Sequence, residues 1–305
     1  MITDIKSALR WGRFLLVEEN NIDFGSLDAE VILADLLGRE RNFLYREPDY
    51  PLTPGQRSHF RDLITRRAQG EPVAYLLGQR EFMGLPFYVD NRVLVPRPET
   101  ELLVETALVL LGGPSPPEGS AVNLPPAPVT GTVVDVGTGS GAIGISLAHY
   151  STQIKVCATD ISPAALEVAR HNAARLGVSD RVAFFSGNLL DPLDPLSIKG
   201  KVSIITANLP YIPSVEMSQL PKDVGAYEPH SALDGGPDGL YFCRRLLPRA
   251  GEYLAPEGYL LMEITPGQGQ PLQALAPAGY STRVVNDLAG RERLVIFRTP
   301  QAKNK

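Results

Sequence analysis

Two stretches of the chain carry residue types that can do chemistry. The first is Val134-Asp135-Val136-Gly137-Thr138-Gly139-Ser140-Gly141, an apolar run that enters a glycine-rich turn and then a helical pattern. Glycines let a ligand approach the backbone closely, and the helix that follows presents free N–H groups. Asp160 closes the next apolar run, 23 residues after Gly137. A carboxylate at that place can accept both hydroxyls of a ribose. Together they predict a cofactor containing adenosine. The turn leaves its identity open: Gly139-x-Gly141-x-x-Gly144 matches the dinucleotide fingerprint outright, and Gly137-x-Gly139-x-x-Ala142 matches its looser form.

The second stretch is Asn208-Leu209-Pro210-Tyr211, which follows the apolar run Ile204-Ile205-Thr206. In an open α/β sheet, ligands bind at the carboxyl ends of the strands. This loop is therefore expected in the same crevice as the glycine turn. Asn208 offers an amide oxygen as acceptor and an NH₂ as donor. Leu209 precedes proline, so its backbone is biased to extended conformations that leave its carbonyl free. Tyr211 offers a flat face. The acid ahead of the first glycine makes the turn resemble that of S-adenosylmethionine (SAM) methyltransferases. For methyl transfer to a planar –NH₂, two acceptors, Asn208 Oδ1 and the Leu209 carbonyl, would hold both hydrogens and aim the nitrogen. Positioning of that kind supplies up to roughly 7–11 kcal/mol. Electrostatic preorganisation adds to it, with no strong general base required.

These loops need a scaffold. Thr132–Val136, Ile154–Thr159, Val182–Phe185, Val202–Thr206 and Tyr259–Ile264 read as strands, and Ala142–His149 and a Ser162-Pro163-capped segment ending at Gly177 as helices. Further strands are expected at Ser281–Val285 and Leu294–Arg298, the latter at the edge. The alternation predicts a mostly parallel α/β sheet with helices on both faces. Residues 1–71 read as helical. Ser26 opens one helix that stops at Gly38, and Thr53-Pro54-Gly55-Gln56 is a capping box for another. The cluster Arg57, Arg61, Arg66 and Arg67 is a solvated helix face or a docking surface for an acidic partner. Residues 72–98 read as a hairpin linker pairing Phe82–Val89 with Arg92–Val95, and 99–305 as the second domain. Six prolines (114, 116, 117, 125, 126 and 128) mark 112–128 as a surface insertion.

Composition narrows the function classes. The 305 residues are 44% hydrophobic and 21% charged, which is globular. The net charge of −5 argues against a domain built to bind nucleic-acid backbone. Two cysteines, Cys157 and Cys243, cannot make a disulfide framework, and the four histidines lack metal-ligand spacing. No apolar run is long enough for a membrane span. A cytoplasmic protein without metal or membrane, acting as a monomer, is expected.

Asn-Leu-Pro-Tyr resembles the Asn-Pro-Pro-Tyr of methyltransferases that act on planar exocyclic nitrogen, with Leu209 in place of the first proline. Adenine-N6 nucleic-acid methyltransferases and protein-glutamine methyltransferases share it. Pro72-Val73-Ala74-Tyr75-Leu76-Leu77-Gly78, Phe82-Met83-Gly84-Leu85, Val95-Pro96-Arg97-Pro98-Glu99-Thr100-Glu101, Glu228-Pro229, Ala232-Leu233-Asp234-Gly235-Gly236-Pro237-Asp238-Gly239-Leu240 and Glu263-Ile264 resemble the HemK/PrmC family of release factor glutamine methyltransferases. Met83 and Thr265 depart from its usual aromatic and glycine. The resemblance implies a Rossmann-like SAM-dependent methyltransferase fold with seven strands and a small helical N-terminal domain that docks the protein substrate. It implies SAM as methyl donor and the glutamine of a Gly-Gly-Gln motif in bacterial peptide chain release factors as acceptor. It also implies that Gly137, Thr138, Gly139, Ser140 and Gly141 wrap the methionine half of SAM and Asp160 its ribose. Asn188 would lie beside the adenine, and Asn208, Leu209, Pro210 and Tyr211 would hold the glutamine amide, with Asn208 also near the cofactor. Thr100 and Glu101 are expected to line the cofactor pocket.

Overall fold

The structure, a computed structural model, describes residues 2–113, 124–129 and 131–302. It divides into two units, one of Met1–Gln79 with Pro221–Tyr227 and one of Arg80–Leu220 with Glu228–Lys305.

Helices build the first unit. Asp4 and Ser7 form a capping box ahead of α1 (Ile5–Arg13), whose end runs on into a π-helical stretch, Phe14–Glu19. The next helix, α2 (Gly25–Leu37), starts one residue before Ser26, so Ser26 lies inside it and caps nothing. Phe24, in the left-handed conformation, supplies the turn instead, and Gly38 stops the helix as expected. After α3 (Arg41–Arg46), the Thr53–Gln56 capping box opens α4 (Pro54–Ala68) with Pro54 in its first turn. A short α5 (Val73–Leu77) follows. Ile5, Ile32, Leu33, Phe60 and Ile64 are fully buried in this unit's core.

The arginine cluster of α4 is largely consumed internally. Arg67 is buried, pairs with Asp28 at 2.7 Å and faces Asp223 at 3.6 Å. Arg66 pairs with Glu71 at 2.6 Å. Arg57 donates to the Ile2 carbonyl, and Arg61 lies over the Trp11 ring. A long-range connection completes the unit: the Tyr227 hydroxyl donates to the Gln69 carbonyl at 3.2 Å.

The hairpin is shifted one arm earlier than the sequence suggests. It pairs β1 (Gln79–Phe82) with β2 (Leu85–Tyr88) across Met83-Gly84. Both turn residues have positive φ, +53° and +69°, the signature of a type I′ turn. Methionine is rare at such a position, which hides the turn in the sequence. Arg92–Val95 lies outside both strands.

The second unit is a seven-stranded sheet. In chain order its strands are β3 (Thr132–Val136), β4 (Lys155–Asp160), β5 (Val182–Ser186), β6 (Val202–Ala207), β7 (Leu254–Glu263), β8 (Ser281–Asn286) and β9 (Glu292–Arg298). Their order across the sheet is β5-β4-β3-β6-β7-β9-β8. The first five run parallel, β9 runs against them, and β8 pairs antiparallel to β9 and so returns to their direction. The edge strands are therefore β5 and β8, and β9, expected at the edge, lies between β7 and β8. Burial explains the swap: Leu294, Val295, Ile296 and Phe297 of β9 are all buried, whereas β8 is half-exposed.

Apolar side chains of the sheet point to two cores. Val133, Ile204 and Leu261 pack with α6 (Glu101–Leu110) and α7 (Ala142–Tyr150). Val134, Val136, Ile205 and Leu260 pack on the other face with Leu246 and Leu247 of the helix Tyr241–Tyr253. Part of the expected surface insertion belongs to the first of these cores. Ala127 is buried there, and the Pro125 and Pro128 carbonyls accept from Tyr259 and Ser203. Pro114, Pro116 and Pro117 lie outside the described residues. Among the described residues, no helix is long and apolar enough to cross a membrane.

Strand order reverses direction at β3: β4 lies on one side and β6 on the other. That switch point opens a crevice at the carboxyl ends of the strands, where α/β sheets bind ligands.

Candidate active site

The crevice holds a cavity of about 420 Å³. Gly137 and Gly139 enter it from the end of β3, Asp160 from β4, Asn188 from the loop after β5, and Asn208, Leu209 and Pro210 from β6. Ile161, Ser162 and Leu189 lie on the same wall. Arg92-Val93-Leu94 and Pro229–Ala232 close the rest, and the sequence had marked neither as lining. Thr138, Ser140, Gly141 and Tyr211 do not line the cavity.

Those four residues shape it from behind. Thr138 is buried, and its hydroxyl donates to Asp135 at 2.6 Å. Asp135 is fully buried and also accepts from the Thr206 hydroxyl and from the Gly144 N–H. Burial pushes its carboxyl upward, while these three donors pull it back. One carboxylate thus fixes the strand, the turn and the helix together. Gly144 belongs to this packing: a Cβ there would stand 3.0 Å from Asp135 and 3.1 Å from Val156. That accounts for the third glycine of the fingerprint without any ligand. The Ser140 carbonyl accepts from Asn172, a buried side chain of α8 (Pro163–Arg175) that also bonds both backbone polar groups of Tyr88. Gly141 caps α7 with φ +84°.

Asp160 is the carboxylate that the glycine turn holds at the cavity. Its Oδ2 accepts from the Gly139 N–H and its Oδ1 from the Ser162 N–H, both at 2.8 Å. Burial raises its pKa and the backbone donors lower it. A carboxylate has about four acceptor sites, so capacity remains on it for a diol. This acceptor fits the ribose hydroxyls of an adenosine cofactor.

The Asn208 amide has one defined orientation. Its Nδ2 donates to the Thr100 hydroxyl at 3.1 Å, which leaves Oδ1 as an acceptor. Thr100 is buried at the start of α6. Glu101 has another use: it accepts from the Met83 N–H at 2.7 Å and so holds the hairpin turn. Leu209 is buried, with its side chain 3.1 Å from where a Gly137 Cβ would be. Burial, then the nearby Glu263 carboxyl, pushes the Tyr211 hydroxyl up to about 12.

The Asn208–Tyr211 loop is clamped by the glycines of Leu233–Leu240. A Cβ on Gly239 would fall 2.2 Å from the Tyr211 carbonyl, and one on Gly235 2.7 Å from the Pro210 carbonyl. The Ile212 N–H donates to Leu233, and the Gly235 N–H to Ile212. Gln268 donates to the Tyr211 carbonyl at 3.1 Å.

Known proteins match this arrangement along most of its length. Residues 7–78 match the family model of the PrmC N-terminal domain, and 129–266 match a methyltransferase domain. The release factor glutamine methyltransferase of Moorella thermoacetica is 44% identical over 88% of this chain and 89% of its own. That of Geobacter sulfurreducens is 39% identical over 88% and 87%. The chain belongs to the release factor glutamine methyltransferase family. The catalytic domain of human Mettl16 shares the fold at 14% identity and a TM-score of 0.54, covering 80% of this chain and 84% of that one.

Membership gives the family motifs physical meanings that sequence reasoning had missed. The Ala232–Leu240 motif is glycine-rich because the Asn208–Tyr211 loop lies against it. Glu228 is buried and accepts from Arg97 at 2.6 Å and from the Val95 N–H, so Glu-Pro and Pro-Arg-Pro-Glu-Thr-Glu are two halves of one clasp. The only prior signal for either was the motif itself.

Proposed function

We propose that this chain transfers the methyl group of SAM to the side-chain amide nitrogen of the Gly-Gly-Gln glutamine in bacterial peptide chain release factors. Family membership at 44% identity is the observation that carries this reading. The methyl donor is SAM, which supplies an electrophilic methyl group on a sulfonium. The new bond is N–C and the broken bond is S–C. The amide nitrogen loses one proton, and the products are N5-methylglutamine and S-adenosylhomocysteine.

The chain's own residues supply position and charge. Gly137 and Gly139 leave the backbone open beside the methionine half of the donor, with Thr138, Ser140 and Gly141 holding the turn. Asp160 accepts the ribose hydroxyls, and Asn188 lies beside the adenine. Asn208 Oδ1 and the Leu209 carbonyl accept the two amide hydrogens. They hold the nitrogen lone pair toward the methyl group and stabilise the charge that develops on nitrogen. Pro210 and Tyr211 complete the substrate side. The helical N-terminal residues 1–71 dock the protein substrate. The enzyme works as a monomer in the cytoplasm without direct nucleic-acid contact, and its unpaired Cys157 and Cys243 suit a reducing compartment.

Two measurements bear on this directly. With labelled SAM and a release factor, the label should map to the Gly-Gly-Gln glutamine, and duplex DNA should remain unlabelled. Transfer to another side chain, or to adenine, would overturn the reading. Asp160→Ala should weaken SAM binding about tenfold to a hundredfold, the weight of a charge-assisted hydrogen-bonded pair. Calorimetry showing unchanged affinity would remove Asp160 from the ribose site.

A further inference from the structure

The last residue of β7, Glu263, is 5% exposed, and its Oε2 has no hydrogen-bond partner. A buried carboxyl with an idle oxygen is costly and calls for a reason. Its surroundings supply one. Thr100 and Tyr211 lie close enough for their hydroxyls to lower its pKa, and Arg293 of β9 and Glu99 are the charged groups that act on it. Thr100 is the group that receives the Asn208 NH₂. Tyr211 is the last residue of the substrate-side loop.

We propose that Glu263 is a positioning residue that sets the direction of hydrogen bonding through Thr100 to Asn208. The inference rests on the role given to Asn208 above. A hydroxyl has one proton to give. When the Glu263 carboxylate takes the Thr100 proton, Thr100 Oγ1 can only accept, and it accepts from Asn208 Nδ2. Asn208 Oδ1 is then the atom left facing the amide of the substrate. If Thr100 pointed its proton at Asn208, the amide would turn over. It would offer NH₂ to NH₂, and the substrate nitrogen would lose an acceptor. The same carboxylate takes the Tyr211 proton, so one buried group orders both ends of the loop.

This chain of bonds has a pH sense. Burial lifts the Glu263 carboxyl to about 7, against hydrogen bonding from Thr100 and attraction from Arg293 that lower it, with Glu99 raising it further. Above that pH the carboxylate accepts, and Asn208 is correctly turned. Below it, Glu263 carries a proton of its own to donate to Thr100, and the direction is lost. The rate should therefore rise with pH through an apparent pKa near 7.

The test compares Glu263→Gln, Thr100→Val, Thr100→Ser and the Glu263→Gln/Thr100→Val double variant in the full chain, with a release factor and SAM. Glu263→Gln and Thr100→Val should each lower kcat about tenfold to a hundredfold, the weight of one or two lost hydrogen bonds. Calorimetric affinity for SAM should stay within about threefold, because neither residue lines the cavity. Thr100→Ser keeps the hydroxyl and should keep most of the rate. The double variant should be no slower than the worse single one, since both act through one bond. The alkaline rise in rate should vanish in Glu263→Gln. Wild-type kcat in Glu263→Gln and Thr100→Val, a Thr100→Ser variant as slow as Thr100→Val, additive losses or an unchanged pH profile would each overturn the proposal. Where Glu263→Gln does not fold, the Thr100 pair decides alone. Asn208→Ala separates the two levels. If it keeps full kcat, the role of Asn208 falls. If it is slow while Thr100→Val and Glu263→Gln are not, only the positioning role falls.

Discussion

Asn208→Ala should lower kcat by about a hundredfold to a thousandfold, the loss seen when one preorganised electrostatic partner is removed from a developing charge. An amide nitrogen is a poor nucleophile because its lone pair is delocalised. The site must hold that nitrogen in line and meet the charge it acquires, and Asn208 Oδ1 is the side-chain acceptor available for this. The structure explains why the loss should be large. The Asn208 NH₂ is held by buried Thr100, so Oδ1 needs no reorganisation when the substrate arrives. Affinity for SAM should change little, because Asp160 and the glycine turn are untouched. Single-turnover rates and calorimetry separate the two quantities. A kcat loss matched by an equal loss of SAM affinity would contradict the assignment.

Gly239→Ala should be the most damaging single-methyl change in the second unit. Gly239 has φ +73°, where an L side chain costs about 1–2 kcal/mol. Its Cβ would also fall 2.2 Å from the Tyr211 carbonyl and 2.7 Å from Gln268 Nε2. Neither can yield cheaply: one is backbone, and the other holds that backbone in place. The loop from Asn208 to Tyr211 would have to move, and with it both acceptors. We expect a destabilisation of about 2–4 kcal/mol in denaturant titrations, together with a kcat loss of at least about a hundredfold from misplaced acceptors. Gly200→Ala is the matched control, because its φ is +71° and nothing lies within 4 Å of the added methyl. It should show the conformational strain alone and keep its rate. Equal stability and equal rates for the two variants would refute the clamp.

Much of the scaffold was legible because its signals are local. The alternation of strands and helices follows from hydrophobic period. The glycine turn and Asp160 sit where strand ends must bring them. The Thr53 capping box is a four-residue pattern, and the structure shows it intact. The misplacements also have local causes. The hairpin register depended on Met83 adopting a positive φ, for which methionine carries no propensity. Ser26 was plausible as a cap, yet Phe24 makes the turn. The position of β9 depended on which antiparallel strand has both faces covered, a property of tertiary packing. The candidate site divides in the same way. The cavity-lining members of the two motifs lie at strand ends and could be found by spacing. Glu263, Thr100 and Asn208 are scattered along the sequence, and only the sheet joins them. Tyr211 and Glu263 are joined in the same way, because β6 and β7 pair side by side and bring the loop after one beside the end of the other.

The helical unit is not a contiguous piece of chain, because Pro221–Tyr227 completes it. During synthesis, α1 to α5 leave the ribosome first. Arg67 then has Asp28, but Asp223 is still untranslated. Strands β3, β4, β5 and β6 must all emerge before the missing segment does, and β7, β8 and β9 follow it. The two units therefore mature in an interleaved order, and each waits on the other's stretch of messenger RNA. A domain boundary drawn through the sequence at one point would cut the helical unit away from its own final segment.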